Sequence, residues 1–202
     1  MQELVAVMIK TALTLHAEVE RSFQKTSINF HYEFNVRHLS NVFQGMLQAR
    51  PEAIKEPDNM VQLWAHECER IYGDRLVSPE HLKTFRASIS DLAKKAFPRT
   101  NLSKFYQEQN PEPLMFANFV ASLDDKLYDR FPNQDAMTNR LTEALRDYND
   151  TNAVMDLVLF EDAMKHLCKI ARIVSNGGGH ALLVGVGGSG KQSLSRLSSA
   201  IC

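Results

Sequence analysis

Cysteine is scarce: Cys68, Cys168 and Cys202 are the only three in 202 residues, and no two of them are close enough to suggest a pair. That excludes a disulfide framework or a cysteine-rich zinc site and fits the thiol usage of a reducing compartment. Net charge is scarce too. Lys and Arg number 23 against 24 Asp and Glu, for a formal charge of −1, so bulk electrostatics give no reason to expect a nucleic acid or a membrane surface as partner. Long apolar runs are absent, and none approaches the roughly 20 residues a membrane helix needs. The opening stretch 1–23 resembles a leader at first sight. Glu3 and Lys10 interrupt it, however, and Val5, Met8, Ala12, Leu15 and Val19 recur at helical spacing. Repeats and low-complexity tracts are also missing. The ends of the chain fall inside periodic helical segments, a pattern expected of a piece excised from a larger protein.

What is present is an ordinary globular composition, 44% hydrophobic and 23% charged, long enough for one or two compact domains. Most of it reads as helix. After the first helix, 25–34 is a connector, and Val36, Leu39, Val42, Phe43, Met46 and Leu47 mark an apolar face that Arg50-Pro51 stops. Asp58 is expected to cap a helix buried through Met60, Trp64, Cys68 and Ile71. Ser78-Pro79-Glu80 signals another start, with a capping hydroxyl, proline in the first turn and an acid at the positive helix end. The stripe Leu82, Phe85, Ile89, Leu92 and Ala96 follows, closed by Pro98. Residues 98–113, with Pro98, Asn101, Asn110, Pro111 and Pro113, read as a linker and domain boundary. Beyond it come a short apolar segment at 114–120 and a helix capped by Asn133 with Met137, Leu141, Leu145 and Tyr148. A long helix facing inward through Val154, Leu157, Val158, Leu167, Ile170 and Val174 is expected next, ended by Gly177-Gly178-Gly179.

The strongest local signal lies at 180–197. Ala181–Val184 is a continuous apolar run, as expected of a parallel strand buried on both faces. Gly185, Gly187, Gly188, Ser189, Gly190 and Lys191 then fit the glycine-rich phosphate loop that joins a strand to a helix, and Leu194, Leu197 and Ile201 supply the helix. Glycines let backbone amides converge on phosphate oxygens, the helix N-terminus adds partial positive charge, and Lys191 reaches the terminal phosphates. One position departs from the pattern. Gln192 stands where a serine or threonine hydroxyl would hold magnesium, with Ser193 one step later. A single helical step turns a side chain by about 100°, so Ser193 is no simple replacement. Phosphate cradling is therefore better supported than magnesium-assisted hydrolysis. An acidic strand to hold metal and activate water is also missing, which predicts no complete hydrolytic site.

Three stretches together resemble the dynein heavy chain family and its ring of AAA modules. Phe34-Asn-Val-Arg37-His38-Leu-Ser40 is similar to the Phe-Asn-Leu-Arg-Asp-Leu-Ser run that opens a helix of the small helical subdomain. There the arginine is the sensor that reaches nucleotide phosphate, and Arg37 falls on it. Val36 and His38 stand where Leu and Asp are commoner. Trp64-Ala-His66-Glu67-Cys-Glu-Arg70 resembles a Trp-x-His-Glu-x-x-Arg helix of those subdomains. A zinc-protease helix is excluded, because the second histidine would fall on Arg70. A solvated Glu67–Arg70 face is the structural expectation. The stretch from Pro113 to the loop looks like the opening of the fourth AAA module, and the Gly-Lys-Gln-Ser form of the loop is similar to that of axonemal dyneins.

The expectation is thus a mixed α/β fold, mostly α. Residues 1–100 would form the helical small (lid) subdomain of the third module, and 101–202 the start of the large subdomain of the fourth, ending just after the P-loop. The resemblance implies a part in an ATP-driven, minus-end-directed microtubule motor of the axoneme of cilia or flagella, within cytoplasm and cytoskeleton. It further implies ATP or ADP as ligand, with other AAA modules, intermediate and light chains, and microtubules as partners. It also implies that Leu114 and Met115 pack on the adenine base, with plain core packing the equal alternative. Two rivals remain: a stand-alone P-loop NTPase, disfavoured by the loop's position near the end, and a helical scaffold whose glycine loop binds no nucleotide. A downstream strand ending in paired acids would separate them.

Overall fold

The computed structural model describes residues 2–106 and 111–202, so Asn110 of the expected linker lies outside the described residues. The chain divides into two compact units, residues 1–112 and 113–202.

The first unit is helical. Its elements are α1 (Gln2–Ser22), α2 (Val36–Met46), α3 (Pro57–Ile71), a single 3-10 turn (Gly73–Arg75), α4 (Pro79–Ala96) and the short α5 (Ser103–Tyr106). Met8, Ala12, Leu15 and Val19 of α1 are buried as their spacing requires. Val5 is an exception, lying at the rim of an apolar groove with Ile9 and Met46. In α2, Leu39 and Val42 face inward, whereas Val36 and Leu47 are 74% and 83% exposed. These two residues flank the helix at its first position and its C-cap, beyond the turns that α3 covers.

Three local expectations are corrected in this unit. Asp58 does not cap α3. Glu56 occupies that position with Pro57 just inside, and the Asp58 carboxylate instead accepts from Gln62 Nε2 one turn on. Ser78 does precede α4, yet its hydroxyl makes no capping bond. Pro79 already removes one of the amides a cap would satisfy, and the backbone begins the helix through Leu82 N–H to the Ser78 carbonyl at 3.0 Å. The Glu67–Arg70 face is not solvated. Glu67 is fully buried and the Arg70 side chain is 6% exposed, because α3 is the central helix of the unit and is covered on nearly every side.

Charges buried this deeply must be paired to be tolerated. Arg70 lies 3.3 Å from Glu69 and 3.0 Å from Asp74, Arg86 reaches Glu69 at 2.6 Å, and His66 lies 3.8 Å from Glu67. Burial by itself would raise the Glu69 carboxyl, but the Arg70 and Arg86 guanidinium groups outweigh it and hold that carboxyl below its ordinary value. Around this seam pack Trp64, Tyr72, Phe85 and Ile89, with Trp64 meeting Phe97 edge-on at 6.2 Å.

The second unit contains β1 (Phe116–Ala117), β2 (Asp129–Arg130), α6 (Gln134–Thr151), α7 (Glu161–Ser175) and α8 (Lys191–Ile201). The strands pair antiparallel, Phe116 opposite Arg130 and Ala117 opposite Asp129. Asn133 caps α6 as expected, its side-chain oxygen accepting from Ala136 N–H at 2.8 Å. Helices α6, α7 and α8 enclose a core of Met115, Phe119, Phe131, Met137, Leu141, Leu167, Cys168 and Leu197. Met115 is therefore a core residue, and Leu114 is buried beside it.

The long helix expected from residue 154 is also corrected. Residues 153–160 are not helical, and α7 begins only at Glu161. Met155, Leu157 and Leu159 pack on the core, while Val154, Val158 and Phe160 are 82%, 73% and 60% exposed. This is the alternation of an extended segment, period two rather than 3.6.

Candidate functional site

Residues 179–186 run extended into the glycine-rich loop and make no β ladder among the described residues. The expectation of a strand buried on both faces is corrected here. Leu183 rests against the core, but Leu182, Val184 and Val186 are 90%, 86% and 79% exposed. A central parallel strand takes its hydrogen bonds from strands on both sides and its burial from helices on both faces of the sheet, and no strand lies beside this segment among the described residues.

The loop itself is tightly organised. Gly190 precedes α8 with φ of 75°, a left-handed conformation that a side chain would strain. It redirects the chain so that Lys191 is the first helical residue, and Leu194 N–H closes the first turn onto the Gly190 carbonyl at 2.9 Å. Gly185 sits at the other end of the loop, where a β-carbon would come within 2.8 Å of Ser189 Oγ and 3.6 Å of Lys191 Nζ. A β-carbon at Gly185 would thus crowd the Ser189 hydroxyl and approach the Lys191 ammonium.

Lys191 Nζ turns back onto the loop. It donates to the Gly185 and Val186 carbonyls, both at 2.7 Å, and lies 3.0 Å from Ser189 Oγ. The ammonium is held over the cradle by three local oxygens, and a phosphate group would compete for it as a stronger, charged acceptor. Gly187 and Gly188 form the crest of the loop. Gln192 follows Lys191 on the exposed side of α8, and Ser193 is half-buried one position on.

The second expected site residue, Arg37, lies in the first unit, whereas Lys191 lies in the second. Arg37 is the second residue of α2. Asn35 caps that helix, its Oδ1 accepting from Arg37 N–H at 3.1 Å, and His38 Nδ1 accepts from the Asn35 N–H at 3.0 Å to complete a reciprocal capping box. This box fixes the backbone from which Arg37 projects, and the guanidinium itself is exposed. Sequence reasoning missed the box because histidine stands where glutamate or glutamine usually closes it.

These geometries define a helical lid followed by a P-loop segment of the AAA+ class. An AAA+ lid domain model matches residues 8–103, and a model of the P-loop containing dynein motor region D4 matches residues 155–202. The chain is 53% identical over 201 residues to the dynein alpha chain of the flagellar outer arm of Chlamydomonas reinhardtii, covering 100% of this chain and 4% of that one. It is 44% identical over 201 residues to a ciliary dynein beta chain of Tripneustes gratilla, with 100% and 4% covered. It is 45% identical over 195 residues to dynein axonemal heavy chain 11 of Sus scrofa, with 96% and 4% covered. The chain belongs to the axonemal dynein heavy chain family, and it spans about 4% of the length of these relatives.

Proposed function

We propose that this segment works within the ATP-driven motor ring of an axonemal dynein heavy chain, a microtubule motor that moves toward the minus end in cilia or flagella. On this reading residues 1–100 form the lid that closes the nucleotide site of the third AAA module, and 101–202 open the fourth. Gly185, Gly187, Gly188, Ser189, Gly190 and Lys191 hold the phosphates of ATP or ADP, while Gln192 and Ser193 begin the helix behind them. Arg37 senses the phosphate of a different nucleotide. The other AAA modules, the intermediate and light chains and microtubules are the partners of the whole motor.

The observation that carries this reading is the placement of Lys191 Nζ at the Gly185 and Val186 carbonyls of the glycine-rich loop, at the start of α8. That arrangement suits a phosphate, which the lysine and the helix N-terminus would both attract. Magnesium fits less well. The residue after the lysine is an exposed amide on a longer side chain, Gln192, where the phosphate-loop pattern sets a short serine or threonine hydroxyl beside the phosphates. The segment is therefore read as a binder of nucleotide that contributes to regulation and ring mechanics.

The test is nucleotide binding by a heavy-chain motor that carries this segment, unsubstituted and as Lys191→Ala. Loss of a charged phosphate contact costs about 1.5–3 kcal/mol, so affinity at the fourth module is expected to fall roughly tenfold or more. Unchanged occupancy of that module would overturn the reading.

A further inference from the structure

Arg37 projects from a helix end that a histidine helps to hold. The box at the start of α2 has two bonds. Asn35 Oδ1 accepts from Arg37 N–H at 3.1 Å, and His38 Nδ1 accepts from Asn35 N–H at 3.0 Å. His38 N–H also closes on the Asn35 carbonyl at 2.9 Å, so residues 35–38 form one hydrogen-bonded unit with Arg37 inside it.

The bond to the imidazole exists in only one protonation state. A backbone N–H can only donate, so Nδ1 presents its lone pair and the single proton of the neutral ring sits on Nε2. Protonation puts an N–H on Nδ1 as well. Two donors then face each other across 3.0 Å, and the ring must leave the box.

Nothing around the ring favours the charged form in place. His38 lies in the first turn of α2, where the helix carries partial positive charge. Its side chain is buried, with the Phe34 ring edge-on at 6.0 Å, so water does not solvate an imidazolium there. The charged and titratable groups acting on it are Arg75 of the 3-10 turn, His16 of α1 and Arg37 beside it, and no carboxylate is among them. Burial first, and these cations after it, hold the His38 ring below the ordinary histidine value. A carboxylate at position 38 would accept the same bond and stay charged down to about pH 4, at a helix end that favours negative charge. Histidine instead makes the bond depend on a proton in the range just below neutrality.

We propose that His38 is a proton-operated cap on the phosphate-sensing arginine: neutral, it locks the first turn of α2 and with it the direction of Arg37; protonated, it releases that turn and weakens the response to nucleotide phosphate. The proposal rests on the reading of Arg37 as a phosphate sensor and concerns how that site is regulated. With the ring in the closed box held below its ordinary value, the opened state takes up the proton more readily. The lock is therefore complete above about pH 6.5 and is lost as pH falls through the lower value of the closed box.

The test has two arms. In the first, the chain is titrated from pH 7.5 to 4.5 and followed by NMR at the His38 ring and at the Asn35 and Arg37 amides. Both amide signals are expected to move with the midpoint of the His38 ring. Their protection from hydrogen exchange, relative to intrinsic rates, should fall by roughly fivefold, the equivalent of one cap bond. In His38→Asp the two amides should stay unchanged down to about pH 5. His38→Gln, whose amide oxygen accepts without titrating, should behave likewise. In the second arm, nucleotide affinity at the site this lid closes is measured at pH 7.5 and 5.5 in a heavy-chain motor carrying the segment. The unsubstituted motor should lose up to about fivefold at the lower pH, and His38→Asp and His38→Gln should lose nothing further between the two. A His38 ring that titrates while the Asn35 and Arg37 amides stay still would overturn the proposal, as would equal pH dependence in the two His38 variants. Full nucleotide affinity in Arg37→Ala would instead overturn the sensor reading, and the amide titration would still decide whether protonation opens the cap.

Discussion

At the scale of single residues, the departures from sequence expectation concern charge. Glu67 and Arg70 have the spacing of a solvated helix face, and spacing cannot reveal that α4 supplies Arg86 to neutralise the buried Glu69 beside them from outside the helix. That partner lies 17 residues away in sequence. Removing one member of a buried pair leaves the others uncompensated. Glu69→Ala is accordingly expected to destabilise the first unit by about 3–5 kcal/mol in urea unfolding. Because the folded Glu69 carboxyl is held below its unfolded value, this stabilisation is present above about pH 4.3 and is lost as pH falls through the folded value. The acid limb of a stability–pH profile should therefore flatten in Glu69→Gln. At the loop, Gln192→Thr restores a hydroxyl at the magnesium position. It is expected to strengthen magnesium dependence of nucleotide binding in an intact ring, checked by titrating magnesium against the unsubstituted motor.

At the scale of elements, the start of α6 was legible from its side-chain acceptor, whereas the Asn35 cap of α2 and the extended segments were not. Asn133 announces α6 and does cap it, whereas Ser78 announces α4 through Pro79 alone. Asn133→Ala should cost about 1 kcal/mol of stability by thermal or urea unfolding, and Ser78→Ala only a few tenths. Residues 154–160 misled because Val154, Leu157 and Val158 also satisfy helical spacing, while the alternation of Met155, Leu157 and Leu159 is what the core selects. The glycine-rich loop was legible in full because its chemistry is local. The burial of the segment before it was not, since that burial depends on a surrounding sheet and the helices that cover it rather than on the segment's own residues. Leu182, Val184 and Val186 stand exposed here with backbone groups unpaired in any ladder, so the segment leading into the cradle is poorly braced. ATP binding by the P-loop of this chain alone is expected to be weaker than micromolar. Calorimetric titration giving micromolar affinity would contradict this.

At the scale of the molecule, the order of the two sites is the informative feature. In the AAA modules this chain resembles, the lid follows the phosphate loop of its own module. Here Arg37 precedes Lys191, and the two lie in separate compact units. On the proposed reading Arg37 completes one nucleotide site and Lys191 opens another. The family relationship was legible from three stretches, Phe34–Ser40, Trp64–Arg70 and the run from Pro113 to the glycine-rich loop. The allotment of the two units to particular modules depends on their order along a much longer chain.

The most direct measurement is the density for bound nucleotide in each AAA module of a heavy-chain motor carrying this segment, as Arg37→Ala and as Lys191→Ala. Lys191→Ala should empty the fourth module and leave the third occupied, while Arg37→Ala should disturb the nucleotide response of the third and spare the fourth. Density showing that Arg37→Ala empties the fourth module while the third stays filled would contradict the account.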